Sequence, residues 1–160
     1  MEELWELFDI DGNSSGITIK RKEKIPEGLY HIAADIWIKD TDGKILLTKR
    51  HPDKLWGGLW EPSGGAVCAG ESPEAGAVRE LFEEVGIMLD PSDLTFIRRH
   101  VTDQCIMFTY TAVVAAGSAV VMQPEEVVDN KWITKEELDA LEGAIVPSVW
   151  ERYLDYRDLL

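Results

Sequence analysis

The stretch from Gly65 to Ile87, GAVCAGESPEAGAVRELFEEVGI, constrains this chain more than any other. It predicts one short helix with clear ends. Ser72 is a good N-cap, Pro73 fits the first helical position, and Glu74 suits the positive end of the helix dipole. Gly86 is placed to stop the helix in a left-handed turn. At ~100° per residue, Ala75, Val78, Leu81, Phe82 and Val85 fall in one stripe about 120° wide, which should pack on a sheet. Glu80, Glu83 and Glu84 stand at i, i+3 and i+4 outside that stripe, so they share a face and repel one another. Such repulsion does nothing for folding. It suits a hard divalent cation, which needs carboxylate oxygens converging from a rigid support. Arg79 sits between the two faces, where its fork can pair with a carboxylate and fix its rotamer. Gly76 costs roughly 1 kcal/mol in a helix relative to Ala, which points to close backbone packing there.

A run of acids is most often a solvated helix face, and a bare pair of glutamates would be read that way. The surrounding residues reverse that reading. Gly65, Glu71, Arg79, Glu80, Leu81, Glu83, Glu84, Gly86 and Ile87 match the pattern G-x5-E-x7-R-E-U-x-E-E-x-G-U, with U aliphatic, at every fixed position. This is the Nudix box, and the chain resembles the Nudix hydrolase superfamily. Weaker similarity extends from about Leu4 to the WITKEEL segment at Trp132 to Leu138.

At 160 residues the chain is read as one domain, 1–160, large enough to bury a core. An apolar content of 45% and six tryptophans argue against disorder. The net charge of −14 argues against a nucleic-acid polymer as ligand, because phosphate backbones need basic surface. A small phosphorylated substrate carried in with metal stays compatible. Cys68 and Cys105 are too few for a disulfide framework. No apolar run approaches a membrane span, and the charged start MEELWELFD does not read as a signal peptide. The expectation is a soluble cytoplasmic protein with reduced thiols.

Leu4 to Asp11 and Gly16 to Arg21 read as extended segments around a turn, forming a hairpin extension over 1–28. Asp9, Asp11 and Asn13 suggest a calcium loop, but Ser14 stands where the loop needs Gly and Lys20 where it needs Glu. Tyr30 to Lys39 and Lys44 to Arg50 read as a strand pair across Asp40-Thr41-Asp42-Gly43. Leu55 to Trp60 reads as a loop, followed by a short strand into Gly64-Gly65. Strands are expected at Leu94 to Val101, Gln104 to Ala116 and Trp132 to Thr134. Helices are expected at Lys135 to Leu141, capped by Thr134, and at Pro147 to Leu160. That order suits a mixed sheet between helices, and the resemblance implies the Nudix α/β/α sandwich, an α+β mixed-sheet fold with the box at 65–87.

An oxygen-only donor set suits Mg²⁺ or Mn²⁺ and not zinc. The resemblance implies hydrolysis of a nucleoside diphosphate linked to another moiety. By position, Glu80, Glu83 and Glu84 resemble the metal-binding glutamates, with Gly64 offering its carbonyl. Glu80 and Glu84 are the strongest of these. Arg79 resembles the orienting arginine, and Glu71 the box's supporting first glutamate. The general base is left open among a box glutamate, Asp103, Glu125 and Glu126. Glu126 is the better placed of the later acids by its spacing to Trp132. Trp56 and Trp60 could wall a pocket or anchor a loop. His31 reads as a strand histidine, His51, Lys49 and Arg50 as side chains that could meet substrate phosphates but more simply form a solvated strand end, and Cys68 as a thiol with nothing nearby to activate it. Relatives often dimerise, so a homodimer is admitted and the oligomeric state stays open.

The pattern ELWELFDIDGNSSG…YHIAADIWI…LLTKR…WGGLWEPSGG is similar to the branch near type I isopentenyl-diphosphate isomerases. Those enzymes use a cysteine followed by Gly-His just before the box, with a partner acid, to move protons across a double bond. Here Gly64-Gly65-Ala66 occupies that region, Cys68 lies later with no adjacent histidine, and the box is intact. Cys105 and Asp103 resemble the isomerase's later strand, but Ile106 replaces its proline. Hydrolysis is therefore expected, with isomerase activity or a catalytically inactive nucleotide-binding domain as the alternatives.

Overall fold

The computed structural model describes residues 2–160. Strands β1 (Leu4–Phe8) and β2 (Ser14–Lys20) form the expected antiparallel hairpin. Asp9 shapes its turn, because the amides of Asp11 and Asn13 both donate to Asp9 Oδ1 at 2.9 Å. The acids that look like the start of a calcium loop are used for backbone capping.

The main sheet is built on β3 (His31–Asp40). It runs parallel to β8 (Cys105–Val114) and antiparallel to β4 (Ile45–Arg50) and β6 (Ser63–Ala66). The path continues to β5 (Trp60–Glu61) beyond β4 and to β7 (Thr95–Val101) beyond β8. Strand β9 (Val127–Ile133) also pairs with β4.

Side chains on β3 alternate with a period of two. Ile32, Ala34, Ile36 and Ile38 enter the core beneath α1 (Pro73–Val85), with Ala77, Leu81 and Val85. Trp37 enters a second core with Ile45, Leu47, and the helices α2 (Lys135–Asp139) and α3 (Pro147–Tyr156). There the Trp37 indole donates to the Tyr156 hydroxyl at 2.7 Å. The layers are helix, sheet, helix, as expected. Among the described residues, no helix is long and apolar enough to cross a membrane.

The ends of α1 follow its sequence signals. The Ser72 hydroxyl accepts from the Ala75 amide at 3.1 Å, and Gly86 adopts φ 71° as its amide donates to the Phe82 carbonyl. Its buried face is corrected. Gly76, Ala77, Leu81, Glu84 and Val85 are buried, whereas Phe82 is 51% exposed. The inward face is thus turned by roughly 100°, one residue's step, from the apolar stripe. The Cβ of a residue at 76 would lie 2.9 Å from Val67, so Gly76 lets the helix close on the chain after β6. Strand β9 begins earlier than expected, because pairing with β4 carries the polar run Asp129-Asn130-Lys131 into the sheet. The helix after Thr134 is shorter than expected and ends at Asp139, and α3 gives way to a 3-10 turn at Arg157–Leu159.

Leu81 is fully buried between α1 and β3. Leu81→Ala should therefore lower stability by about 2–5 kcal/mol, measured as a shift in the urea midpoint at constant slope.

Candidate active site

Strand β6 and α1 form one unit through Arg79. Its Nε donates to Glu71 Oε1 at 2.6 Å and its Nη2 to Glu71 Oε2 at 3.0 Å, a two-pronged pairing. Nη2 also reaches the Ala66 carbonyl at 3.1 Å, while Nη1 donates to Glu80 at 2.9 Å and Glu83 at 3.3 Å. Burial alone would raise the Glu71 carboxyl, but the Arg79 fork and the Cys68 amide hold it below the ordinary carboxylate value.

This unit faces a cavity of about 740 Å³. Of the residues singled out from the sequence, Gly64, Glu71, Arg79, Glu80, Glu83, Glu84 and Glu126 all line it. Gly65 has a specific reason to lack a side chain. A Cβ there would lie 2.5 Å from the Glu80 carboxyl carbon, so the missing atom leaves room for that carboxylate against the strand.

Glu84, expected outside the apolar stripe, is only 9% exposed and lies on the buried face of α1. Burial, then the neighbouring charges of Glu61 and Glu80, push its carboxyl up to about 8. Burial also raises Glu80 and Glu61, partly offset by Arg79 and Arg50 respectively. Among the described residues, no three acidic, His or Cys side chains are grouped closely enough to enclose an ion. Arg79 draws Glu80 and the half-exposed Glu83 to itself. The donor chemistry still fits a hard dication: the carboxylates are oxygen donors, and the buried Glu84 sits among like charges that a cation would offset.

Glu126 is delivered by a strap over the end of α1. The amides of Val121 and Gln123 donate to the carbonyls of Val85 and Glu84 at 2.8 and 2.9 Å. Glu126 then pairs with Lys54, from the loop after β4. Asp103 and Glu125 are exposed and do not line the cavity.

Several site residues were not singled out from the sequence. Lys54 and Arg21 line the cavity, and Glu61 on β5 accepts from Arg50 at 2.7 Å. For Arg50 the simpler reading, a solvated strand end, is corrected, because it lines the cavity in this ion pair. The run Lys49-Arg50-His51 was the available signal; nothing in Glu61 or Lys54 alone distinguished them from surface charge. His31 stacks on Trp5 with centroids 4.3 Å apart, and burial lowers its pKa. It does not line the cavity.

The family model for the NUDIX domain matches residues 29–153, which leaves the β1–β2 hairpin outside it. The chain is 34% identical over 152 residues to an uncharacterized Nudix hydrolase of Listeria monocytogenes, covering 92% of this chain and 89% of that protein. It is 33% identical over 150 residues to an isopentenyl-diphosphate Delta-isomerase of Citrobacter koseri, covering 86% and 81%. Its fold is similar to the crystal structure of DR0079 from Deinococcus radiodurans, with a TM-score of 0.72, 21% identity and coverage of 89% and 90%. The chain belongs to the Nudix family, as a Nudix hydrolase.

The buried Glu84 carboxyl makes stability depend on pH. Folding raises its pKa above the ordinary 4.5, so the folded chain holds that proton more tightly than the unfolded chain. Without added metal, this contribution is fully present below about pH 4.5 and is lost as pH rises through about 8. Its slope reaches at most about 1.4 kcal/mol per pH unit. Urea midpoints between pH 5.5 and 8.5 should fall with rising pH, and less steeply in Glu84→Gln.

Proposed function

We propose that this protein hydrolyses a diphosphate linkage, most suitably in a nucleoside diphosphate derivative, with Mg²⁺ or Mn²⁺ held by Glu80, Glu83, Glu84 and the Gly64 carbonyl. The observation that carries the reading is the burial of Glu84 among other acids at a cavity that also presents cations. A protein with no dication to hold gains nothing from that arrangement. When bound, the dication would offset charge on phosphate oxygens and lower the pKa of water.

The chain's own residues supply the rest. Arg79 is a positioning residue, because it holds Glu71 and Glu80 and fixes the turn. Lys54 and Arg50 present positive charge to phosphate oxygens from the opposite wall. Glu126 reaches the cavity from the strap and is the candidate to take a proton from the attacking water. Its pairing with Lys54 holds its carboxylate at the cavity wall. Attack by water forms a P–O bond and breaks the bridging one, the proton passes to Glu126, and the leaving phosphate departs past Lys54 and Arg50.

The isomerase relative raises a competing activity, which the cysteines do not favour. At β6 the chain carries Gly64, Gly65 and Ala66. Cys68 lies beyond the strand, 3.5 Å from Arg79 Nη2, and burial raises its thiol pKa despite that arginine. Cys105 is pushed up to about 11 by burial and does not line the cavity.

The deciding measurement is product identification by ³¹P NMR on a panel of nucleoside diphosphate derivatives and isopentenyl diphosphate, with Mg²⁺, Mn²⁺ or excess chelator. Metal-dependent cleavage is expected, with Glu84→Gln lowering turnover at least about a hundredfold. Cleavage in chelator, full activity in Glu84→Gln, or isomerisation without cleavage would each overturn the reading. Gly65→Ala offers a second check. The clash falls on the far end of a flexible side chain, so the fold should stand while Mn²⁺ affinity, read by electron paramagnetic resonance, drops about tenfold.

A further inference from the structure

A smaller cavity, of about 300 Å³, opens on the α3 face of the sheet. It shares Arg50, Gly64 and Gly65 with the glutamate cavity, so the two meet across β6. Its volume is at the lower end for small-molecule sites. Its walls are largely apolar, with Met107, Val146, Val149, Leu55 and Trp56.

Two charged residues, Asp35 and Arg152, also line it, at 4% and 8% exposure. They pair at 2.9 Å from Arg152 Nη2 to Asp35 Oδ2, and Nη1 donates to the Ser148 carbonyl at 3.1 Å. A purely structural pair would close on itself through both prongs. This one leaves Asp35 Oδ1, an acceptor, and Arg152 Nε, a donor, buried without partners. Buried polar groups are nearly always satisfied, so an unpartnered acceptor and an unpartnered donor on two residues that line the cavity point to a ligand. The loop beside them carries a second anomaly. Trp56 holds φ 59°, a backbone region that a bulky residue rarely adopts, and its ring is half exposed. That conformation offers a flat aromatic surface at the cavity wall.

We propose that this cavity receives the group attached to the diphosphate, and that Asp35 and Arg152 select a planar edge with adjacent hydrogen-bond donor and acceptor, as on a nucleobase or carboxamide. Trp56 is the stacking platform for that plane. An aliphatic chain would fit the apolar walls but leave both polar atoms unmatched, which disfavours it by about ten- to a hundredfold for each. The inference rests on the diphosphate reading above, because only that reading says what fills the neighbouring cavity.

Binding without metal tests it separately from hydrolysis. The probes are the four common ribonucleoside monophosphates, nicotinamide mononucleotide, and isopentenyl monophosphate, titrated calorimetrically into the full chain in excess chelator. At least one planar probe should bind ten times more tightly than isopentenyl monophosphate. Ser148→Trp, an exposed position at the cavity wall, should abolish that binding, and Trp56→Ala should weaken it at least fivefold. Both replacements lie outside the core, so circular dichroism should report an unchanged fold. Asp35→Asn should change the preference among the planar probes. Equal or tighter binding of the isopentenyl probe, no binding of any planar probe at millimolar concentration, or indifference to both wall substitutions would overturn the inference. Metal-dependent cleavage of some diphosphate alongside any of those results would leave the hydrolase reading intact and remove only this one.

Discussion

The guanidinium of Arg79 is the interaction on which the site's geometry depends. It joins the Ala66 carbonyl at the end of β6, the Glu71 carboxylate in the turn, and Glu80 on the helix. A lysine ammonium could not span these partners in one plane, because only the guanidinium presents a fixed fork of donors. The turn and the first half of α1 therefore move as one body. The far end of the helix is tied by the left-handed Gly86 and by the strap whose amides bond to Val85 and Glu84. The backbone that carries the carboxylates is thus anchored at both ends, which distinguishes a binding frame from an acidic surface.

The charge balance inside the cleft follows from that frame. The chain carries a net charge of −14, and an anionic substrate approaching an unrelieved acidic cleft would be repelled. The cleft is not uniformly acidic. Arg50 pairs with Glu61 and Lys54 with Glu126 on the wall opposite α1. Burial lowers the Lys54 pKa, and Glu84 and Glu61 counter that by favouring the charged form. Cations interleaved with the acids give a phosphate a place that an unrelieved acidic cleft would not. The Coulomb energies are large here because the groups are partly withdrawn from water.

The helix caps, the succession of elements along the chain and the hairpin were legible because each rests on local chemistry: Ser72 and Thr134 as caps, Gly86 as a left-handed stop, alternation along β3. The box residues were legible as a resemblance, and the cavity does bring them together. What misled was hydrophobicity used as a measure of burial. Phe82 is the most apolar residue at its turn and stands in solvent, while Glu84 is buried. An apolar stripe reports burial only where packing is the sole demand, and here the helix is turned to bring carboxylates against a glycine strand. Asp35 and Arg152 were beyond sequence reasoning for a different reason. They lie 117 residues apart, and nothing local in either segment indicates that they will meet.

The paired glycines of β6 connect these observations. Successive residues on a strand point to opposite faces of the sheet. Gly65 faces α1, where a Cβ would crowd the Glu80 carboxylate. At Gly64 a Cβ would press on the β3 backbone at Ala34 and Asp35, so this glycine lets β6 pair closely with β3. Two in succession keep β6 close to β3 and to the Glu80 carboxylate at the same point along the strand, where the acidic cavity and the apolar one share Gly64 and Gly65 in their walls. The isomerase pattern places a cysteine in this strand, whereas residues 63–66 here are Ser-Gly-Gly-Ala.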